Sequence, residues 1–420
     1  MKKSTKAALL AALGSGFEYY DFVVYGMMAK YLSLIFFPSN DVAVSMMQTF
    51  SIFALGYIVR PLGGLIGGIF ADKYGRKKAF LLVTLTMAFA SLAIGLIPTY
   101  ETVGLIAPVL LIVCRILQGL SFGAELPGAT TIVTEFSNDS NIGKYTGLML
   151  SSTSLGSLFA LLVLTFLSMF YTTEEIVALQ AWRIPFIIGG CLAIVSYYIR
   201  NNLPETPEFL EYKHCYIDGQ NEIFFELKKN IGKIVASIGL TFFLATLIII
   251  NIYFPAFISK YFNYSLAEIY QAMSIGMIFS FLSMLLFGLF SDFIDKSKIF
   301  LASLFAALIM IPILYKILQQ SNYMSLVVFF VFYQFLISAY FVSYLPIMSK
   351  LFPVHIRYTA TAISYNVAFS MASMIPTICS YFYLKNESPF FLAHFFILAI
   401  AVAFVSRIFL QSRAAAPYKR

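Results

Sequence analysis

Gly68-Ile69-Phe70-Ala71-Asp72-Lys73-Tyr74-Gly75-Arg76-Lys77-Lys78 closes one long apolar block, and Gly288-Leu289-Phe290-Ser291-Asp292-Phe293-Ile294-Asp295-Lys296-Ser297-Lys298 closes another 220 residues later. The shared Gly-x-x-x-Asp element followed by basic residues marks the same loop in two related halves. A second echo pairs Lys144-Tyr145-Thr146-Gly147 with Arg357-Tyr358-Thr359-Ala360 at an offset of 213. Two matches at equivalent places and similar offsets are the expected signature of a secondary transporter assembled from repeated bundles.

Outward from these loops, apolar blocks fall at about 7–36, 43–70, 79–98, 104–134, 144–171 and 182–200, then 233–259, 267–291, 299–318, 324–349, 358–383 and 389–410. The pattern is six, a gap, and six. Each block is long enough for a helix to cross about 30 Å of hydrocarbon, and a helix satisfies its own backbone groups there. With 60% hydrophobic and 11% charged residues over 420 positions, a water-soluble fold is excluded. The ten-residue alternation of a membrane β-barrel is absent. The expected architecture is an all-α integral membrane protein of twelve transmembrane helices in two six-helix bundles. Its expected parts are an N-terminal bundle at 1–200, a cytoplasmic linker at 201–232 and a C-terminal bundle at 233–420.

The basic residues report topology rather than nucleic-acid binding. With a cytoplasmic N-terminus, 21 of the 28 Lys and Arg residues fall on the cytoplasmic side and five on the other, while Arg60 and Arg115 lie within spans. Both termini are therefore expected in the cytoplasm. The opening Met1-Lys2-Lys3-Ser4-Thr5-Lys6 imitates a signal peptide. Its apolar run continues through Glu18 and Asp21, however, and is expected to be retained as the first span. Cys114, Cys191, Cys215 and Cys379 have no metal-ligand or redox spacing.

The loop pattern Gly-x-x-x-Asp-(Arg/Lys)-x-Gly-(Arg/Lys)-(Arg/Lys), matched from Gly68 to Lys77, resembles the major facilitator superfamily. Four further stretches resemble its metabolite:proton symporter branch: Gly16–Phe22 with Tyr25-Gly26, Arg115–Gly119 with Gly123-Ala124-Glu125, Leu203-Pro204-Glu205-Thr206-Pro207-Glu208-Phe209, and Leu351-Phe352-Pro353 through Arg357-Tyr358-Thr359 to Tyr365-Asn366. The likeness covers nearly the whole chain. It implies a bacterial inner-membrane symporter of proline, glycine betaine, 2-oxoglutarate, shikimate, citrate or similar zwitterions and organic acids, using protons. Osmosensing relatives carry a long C-terminal coiled-coil extension, whereas this sequence stops at Arg420, so gating by such a tail is not expected. The expected partners are a small-molecule substrate, protons and the lipid bilayer, with no nucleic acid, no cofactor and no metal. A monomer is expected.

Charges within a span cost about 2.5–3.5 kcal/mol each on insertion scales and tend to face a functional cavity. Glu18, Asp21, Arg60, Arg115 and Glu125 are the clearest cases, all in the first half. Glu18 and Asp21 are three apart and Asp21 and Tyr25 four apart, so they share a helical face. Arg115, Gln118, Phe122 and Glu125 form a stripe about 15 Å long. The expectation is that Asp21 or Glu18 approaches Arg115, with one carboxylate binding the proton and Glu125 assisting. Burial disfavours an ionised carboxylate and a guanidinium favours it, so a substrate carboxylate drawn to Arg115 would release the acid to take a proton. The same charges could instead form a static pair between spans one and four.

Arg115, Gln118, Tyr25, Tyr340, Tyr344 and Asn366 are the expected substrate contacts. The second half supplies mainly aromatic and amide groups, suited to a quaternary ammonium or simply to helix–helix hydrogen bonds. Gly68, Asp72, Gly75, Arg76 and Asp292 are expected in conformational gating. The chain is not expected to be an enzyme: its three histidines, His214, His355 and His394, have no metal spacing, and no phosphate-cradling loop is present.

Overall fold

Twelve long helices run through the computed structural model, which describes residues 3–38, 42–138, 140–215, 220–262, 264–376, 378–379 and 391–415. They are α1 Lys3–Met27, α2 Val42–Tyr74, α3 Arg76–Leu96, α4 Ile106–Glu135, α5 Ile142–Phe170 and α6 Arg183–Asn201. The second set is α7 Ile231–Tyr261, α8 Leu266–Phe293, α9 Lys296–Leu318, α10 Tyr323–Lys350, α11 Val354–Ala372 and α12 Phe391–Ala415. They fall on the twelve apolar blocks, with 377 and 380–383 at the end of the eleventh block lying outside the described residues. The first block is divided at Met28, after which a short helix, Ala29–Phe36, continues. Lys2, Lys385, Lys419 and Arg420 of the charge count, and most of the segment joining spans eleven and twelve, lie outside the described residues.

Among the described residues, ten of these helices are long and apolar enough to cross a membrane. The two that miss this criterion are α1 and α11, each of which carries buried polar groups: Glu18 and Asp21 on α1, and Thr359, Thr361, Ser364 and Asn366 on α11. Membrane-exposed helices read as apolar; helices that face other helices need not. Burial alone does not set the composition: α7, whose span window is 78% buried, is as apolar as α9 at 28%.

The packing repeats as the sequence does. In the first set α2 and α3 pack on α4, α3 packs on α6, and α1 packs on α5 and α6. In the second, α8 and α9 pack on α10, α9 touches α12, and α7 packs on α11 and α12. The sets meet through α2 against α11 and α5 against α8, two contacts exchanged by the same repeat. Within the first set, α2 and α4 approach through glycine. A Cβ at Gly119 would strike the Gly56 carbonyl, and one at Gly123 would meet the Arg60 carbonyl and, at 2.9 Å, the Gly64 nitrogen. Such close helix approach is what small residues allow in a membrane, where apolar burial gives no bias between helix and lipid.

Candidate functional site

The repeated motif is a device for joining the two sets, and both halves of each echo take part. Gly68 and Asp72 lie four apart on one face of α2. A Cβ at Gly68 would sit 2.7 Å from Thr359 Cα, so its absence brings α2 against α11. One turn on, Asp72 Oδ2 accepts hydrogen bonds from Thr359 N at 2.9 Å and Thr359 Oγ1 at 2.6 Å. In the second copy Gly288 packs against Gly147, and Asp292 accepts from the backbone N–H of Gly143 at 2.7 Å and Lys144 at 2.8 Å. Each motif therefore meets the second echo of the opposite half. Asp292 also places a negative charge on the first turn of α5, where the helix dipole favours it.

Gly75 makes the turn between α2 and α3 with φ +118°, a left-handed conformation costly for any residue with a Cβ. A side chain there would also strike Glu205, whose carboxylate accepts from Arg76 N at 3.0 Å and so satisfies the start of α3. Arg76 is buried; it donates to Asp72 Oδ1 at 2.6 Å, Glu135 Oε1 at 3.2 Å and Val354 O at 2.7 Å, while Phe209 lies 4.9 Å from its guanidinium carbon. Arg357 of α11 pairs with Glu208 and with Glu135 at 3.4 Å. Thr206 Oγ1 donates to Glu135 at 2.6 Å. The stretch Leu203–Phe209, a family marker in the sequence, is thus a clasp over the loop ends of α2, α4 and α11. Replacing Asp292 with Ala should leave the Gly143 and Lys144 N–H groups unsatisfied at the α5–α8 contact. Faster hydrogen exchange of the peptide containing them, with the rest of α5 unchanged, checks this.

Deeper in the first set, the stripe on α4 meets three separate groups. Arg115 Nη1 donates to Gln118 Oε1 at 2.8 Å, and the guanidinium lies 4.0 Å from the centre of the Tyr25 ring. Gln118 Nε2 donates to Ser91 Oγ at 2.8 Å and approaches Asp21 Oδ2 at 3.5 Å, and Ser91 Oγ donates to the same Asp21 oxygen. Asp21 therefore faces Arg115 through one amide. Its other oxygen, Oδ1, has no hydrogen-bond donor among the described residues; it lies 2.5 Å from where a Cβ on Gly189 would stand.

Glu18 does not approach Arg115. It pairs instead with Arg200 of α6, which also pairs with Glu125 of α4, and Thr84 Oγ1 donates to Glu18 at 3.0 Å. Of the two carboxylates expected near Arg115, Asp21 takes the place and Glu18 does not, because it is held by a residue that the charge count assigned to the cytoplasmic side. Arg200 ends α6, but its side chain is fully buried, turned inward over Phe80 at 3.8 Å and into the space left by Gly14. Glu18 and Asp21, three apart, still share a face of α1, directed at Thr84 and Ser91 of α3 but serving different guanidinium groups.

Phe122, between these clusters on the stripe, lies 4.7 Å from the guanidinium carbon of Arg60. Arg60 Nε donates to Asn366 Oδ1 at 3.1 Å, and Asn366 Nδ2 donates to Gly123 O at 2.5 Å, so Asn366 ties α11 to α2 and α4. Tyr340 donates to Leu240 O at 2.7 Å, and Tyr344 bonds Thr241; both hydroxyls tie α10 to α7, the helix–helix role left open above. Among the described residues the buried charged side chains are Glu18, Asp21, Arg60, Asp72, Arg76, Arg115, Glu125, Glu135 and Arg200, all in the first half.

Two repeated six-helix sets, fastened crosswise at one end and carrying their buried charge in one of them, form the architecture of a two-bundle membrane transport protein. The model of the Major Facilitator Superfamily matches residues 11–377, and the chain belongs to that superfamily. It is 31% identical over 435 residues to the proline/betaine transporter of Salmonella typhimurium, covering 99% of this chain and 85% of the relative. It is 28% identical over 414 residues to a putative proline/betaine transporter of Staphylococcus aureus (strain COL), covering 98% and 89%. Its fold is similar to that of the proton:xylose symporter bound to 6-bromo-6-deoxy-D-glucose, with a TM-score of 0.77 at 15% identity over 97% of this chain and 95% of that one.

Proposed function

We propose that the protein imports a small zwitterion or organic anion, of the proline/betaine class or a carboxylate metabolite, together with a proton. It works by alternating access between a bundle at 1–200 and a bundle at 233–420, joined by the linker at 201–232. In a bacterial inner membrane, as a monomer with both termini cytoplasmic, the crosswise motif contacts close the cytoplasmic end. The names of the relatives support the solute class.

The observation that carries the coupling is the buried series Arg115–Gln118–Asp21–Ser91. Arg115 and Asp21 compensate one another across the Gln118 amide. A solute carboxylate approaching Arg115 takes over that compensation, and the Asp21 carboxyl then needs a proton to remain buried without an uncompensated charge. Glu18, Glu125 and Arg200 form a second cluster one helical step nearer the cytoplasm, through which the proton can pass. Asp72, Arg76, Gly68, Gly75 and Asp292 act at the gate.

Uptake of radiolabelled proline or glycine betaine into energised vesicles tests the reading. A protonophore should abolish accumulation, and Arg115→Ala should reduce it to background. Unchanged net uptake with the protonophore would establish passive facilitation instead, and near-normal accumulation by Arg115→Ala would remove Arg115 from the scheme.

A further inference from the structure

Arg60 stands inside a box of aromatic rings. Its guanidinium carbon lies 4.7 Å from the centre of Phe122, 5.1 Å from Tyr57, 5.2 Å from Phe369 and 5.8 Å from Tyr365. These are the distances at which a ring face holds a cation, and the attraction is strongest where water is excluded. All four rings and Arg60 itself are buried. Two of the rings belong to α2 and α4 and two to α11, so the box is assembled only when the bundles meet at this level. Tyr365 and Phe369 stack at 4.5 Å, and Asn366, between them in sequence, receives the Arg60 Nε hydrogen bond.

We propose that this box is the site for the methylated ammonium group of a zwitterionic solute, and that Arg60 is its resident cation in the ligand-free protein. A guanidinium and a quaternary ammonium are both weakly hydrated cations with an affinity for aromatic faces, so one can replace the other without rebuilding the walls. Arg60 sits on a flexible stem and can withdraw. Its charge then pairs with the carboxylate of the solute that displaced it, and both ends of the zwitterion are compensated. The carboxylate is left between Arg60 and Arg115, whose guanidinium packs against Gly56, one turn before Arg60 on α2. A solute with a cation and no carboxylate meets the repulsion of Arg60. A solute with a carboxylate and no cation leaves the box to Arg60. Because the box is split between bundles, filling it favours their closure around the solute. The inference rests on the reading that the chain moves zwitterions or organic anions, and it narrows that class to zwitterions bearing a methylated ammonium.

Equilibrium dialysis of the purified full chain in nanodiscs, without any gradient, tests the box separately from proton coupling. Three probes suffice: glycine betaine, its isostere without the ammonium charge, 3,3-dimethylbutanoate, and choline. The wild type should bind glycine betaine about tenfold more tightly than the isostere, and Phe369→Leu should erase most of that preference while leaving the isostere within about twofold. Arg60→Gln should weaken glycine betaine and admit choline. Equal affinity of the wild type for glycine betaine and the isostere would overturn the proposal without need of any variant. So would loss of both probes alike in Phe369→Leu, or exclusion of choline from Arg60→Gln. Protonophore-sensitive uptake of a simple carboxylate with no glycine betaine binding would overturn the box and leave the symport reading standing. The discriminating affinities without proton-dependent uptake would do the reverse.

Discussion

Arg200→Met should lower the stability of the protein in detergent by about 3–5 kcal/mol, the cost of removing one partner from a buried charge cluster. In the wild type the guanidinium lies over Phe80 and pairs with both Glu18 and Glu125, and all three side chains are buried. Methionine fills much of the same volume, so the loss would come from charge rather than packing: two carboxylates would remain side by side, with the Thr84 hydroxyl bonded to Glu18. A variant that also carries Glu18→Gln and Glu125→Gln should recover most of the loss, because neutral amides need no counter-ion. The midpoint of thermal unfolding reads both effects. An unshifted midpoint for Arg200→Met alone would mean that the cluster is not the brace joining α1, α4 and α6.

Asp21→Asn should separate proton movement from solute movement. The side chain keeps its shape and can still bond Ser91 and Gln118, so binding and the bundle motion should survive while the titrating group is gone. A proton carries solute inward with a driving force of about 2.3 kcal/mol per 100 mV, which supports roughly a 50-fold concentration ratio. The Asp21→Asn variant should bring that ratio down to equilibration, yet exchange of labelled for unlabelled solute across the same membrane should continue at a comparable rate. Loss of exchange as well would show that Asp21 is needed for binding or for the conformational change. Retained accumulation would move the proton elsewhere, with the Glu18–Arg200–Glu125 cluster the next candidate.

The reach of the sequence differs sharply between these elements. Ten of the twelve helices are legible because each block shows its length and apolarity along the chain, whatever its neighbours, while α1 and α11 fall short of that measure and stand out only as apolar blocks between polar stretches. The motif repeats are legible as repeats, but not that Gly68–Asp72 meets Thr359 while Gly288–Asp292 meets Gly143 and Lys144, because pairing across bundles leaves no local spacing to read. Within α4, periodicity defines the Arg115–Gln118–Phe122–Glu125 stripe and the structure keeps it on one face, though Arg115 and Gln118 serve Asp21, Phe122 serves Arg60 and Glu125 serves Arg200.

Arg200 departs from its expected place for a physical reason. A basic residue at a span end ordinarily extends its side chain toward water, and here the side chain turns inward because Gly14 on the facing helix leaves the room and Glu18, one turn further along α1, supplies the charge. The Gly14–Glu18 spacing is the available signal. Arg60 is recognisable as an intramembrane charge, but its box draws Phe122, Tyr365 and Phe369 from two other helices. Of its walls only Tyr57, three residues away on the same helix, can be read locally.

The account depends on one coupled event, the gain of a proton as a solute carboxylate enters beside Arg115. Proteoliposomes loaded with a pH-sensitive dye, held without any ion gradient and then given external glycine betaine or proline, measure it directly. Inward solute movement should acidify the lumen in the wild type and leave it unchanged in Asp21→Asn. Solute entering the wild-type vesicles with no change in lumenal pH would contradict the account.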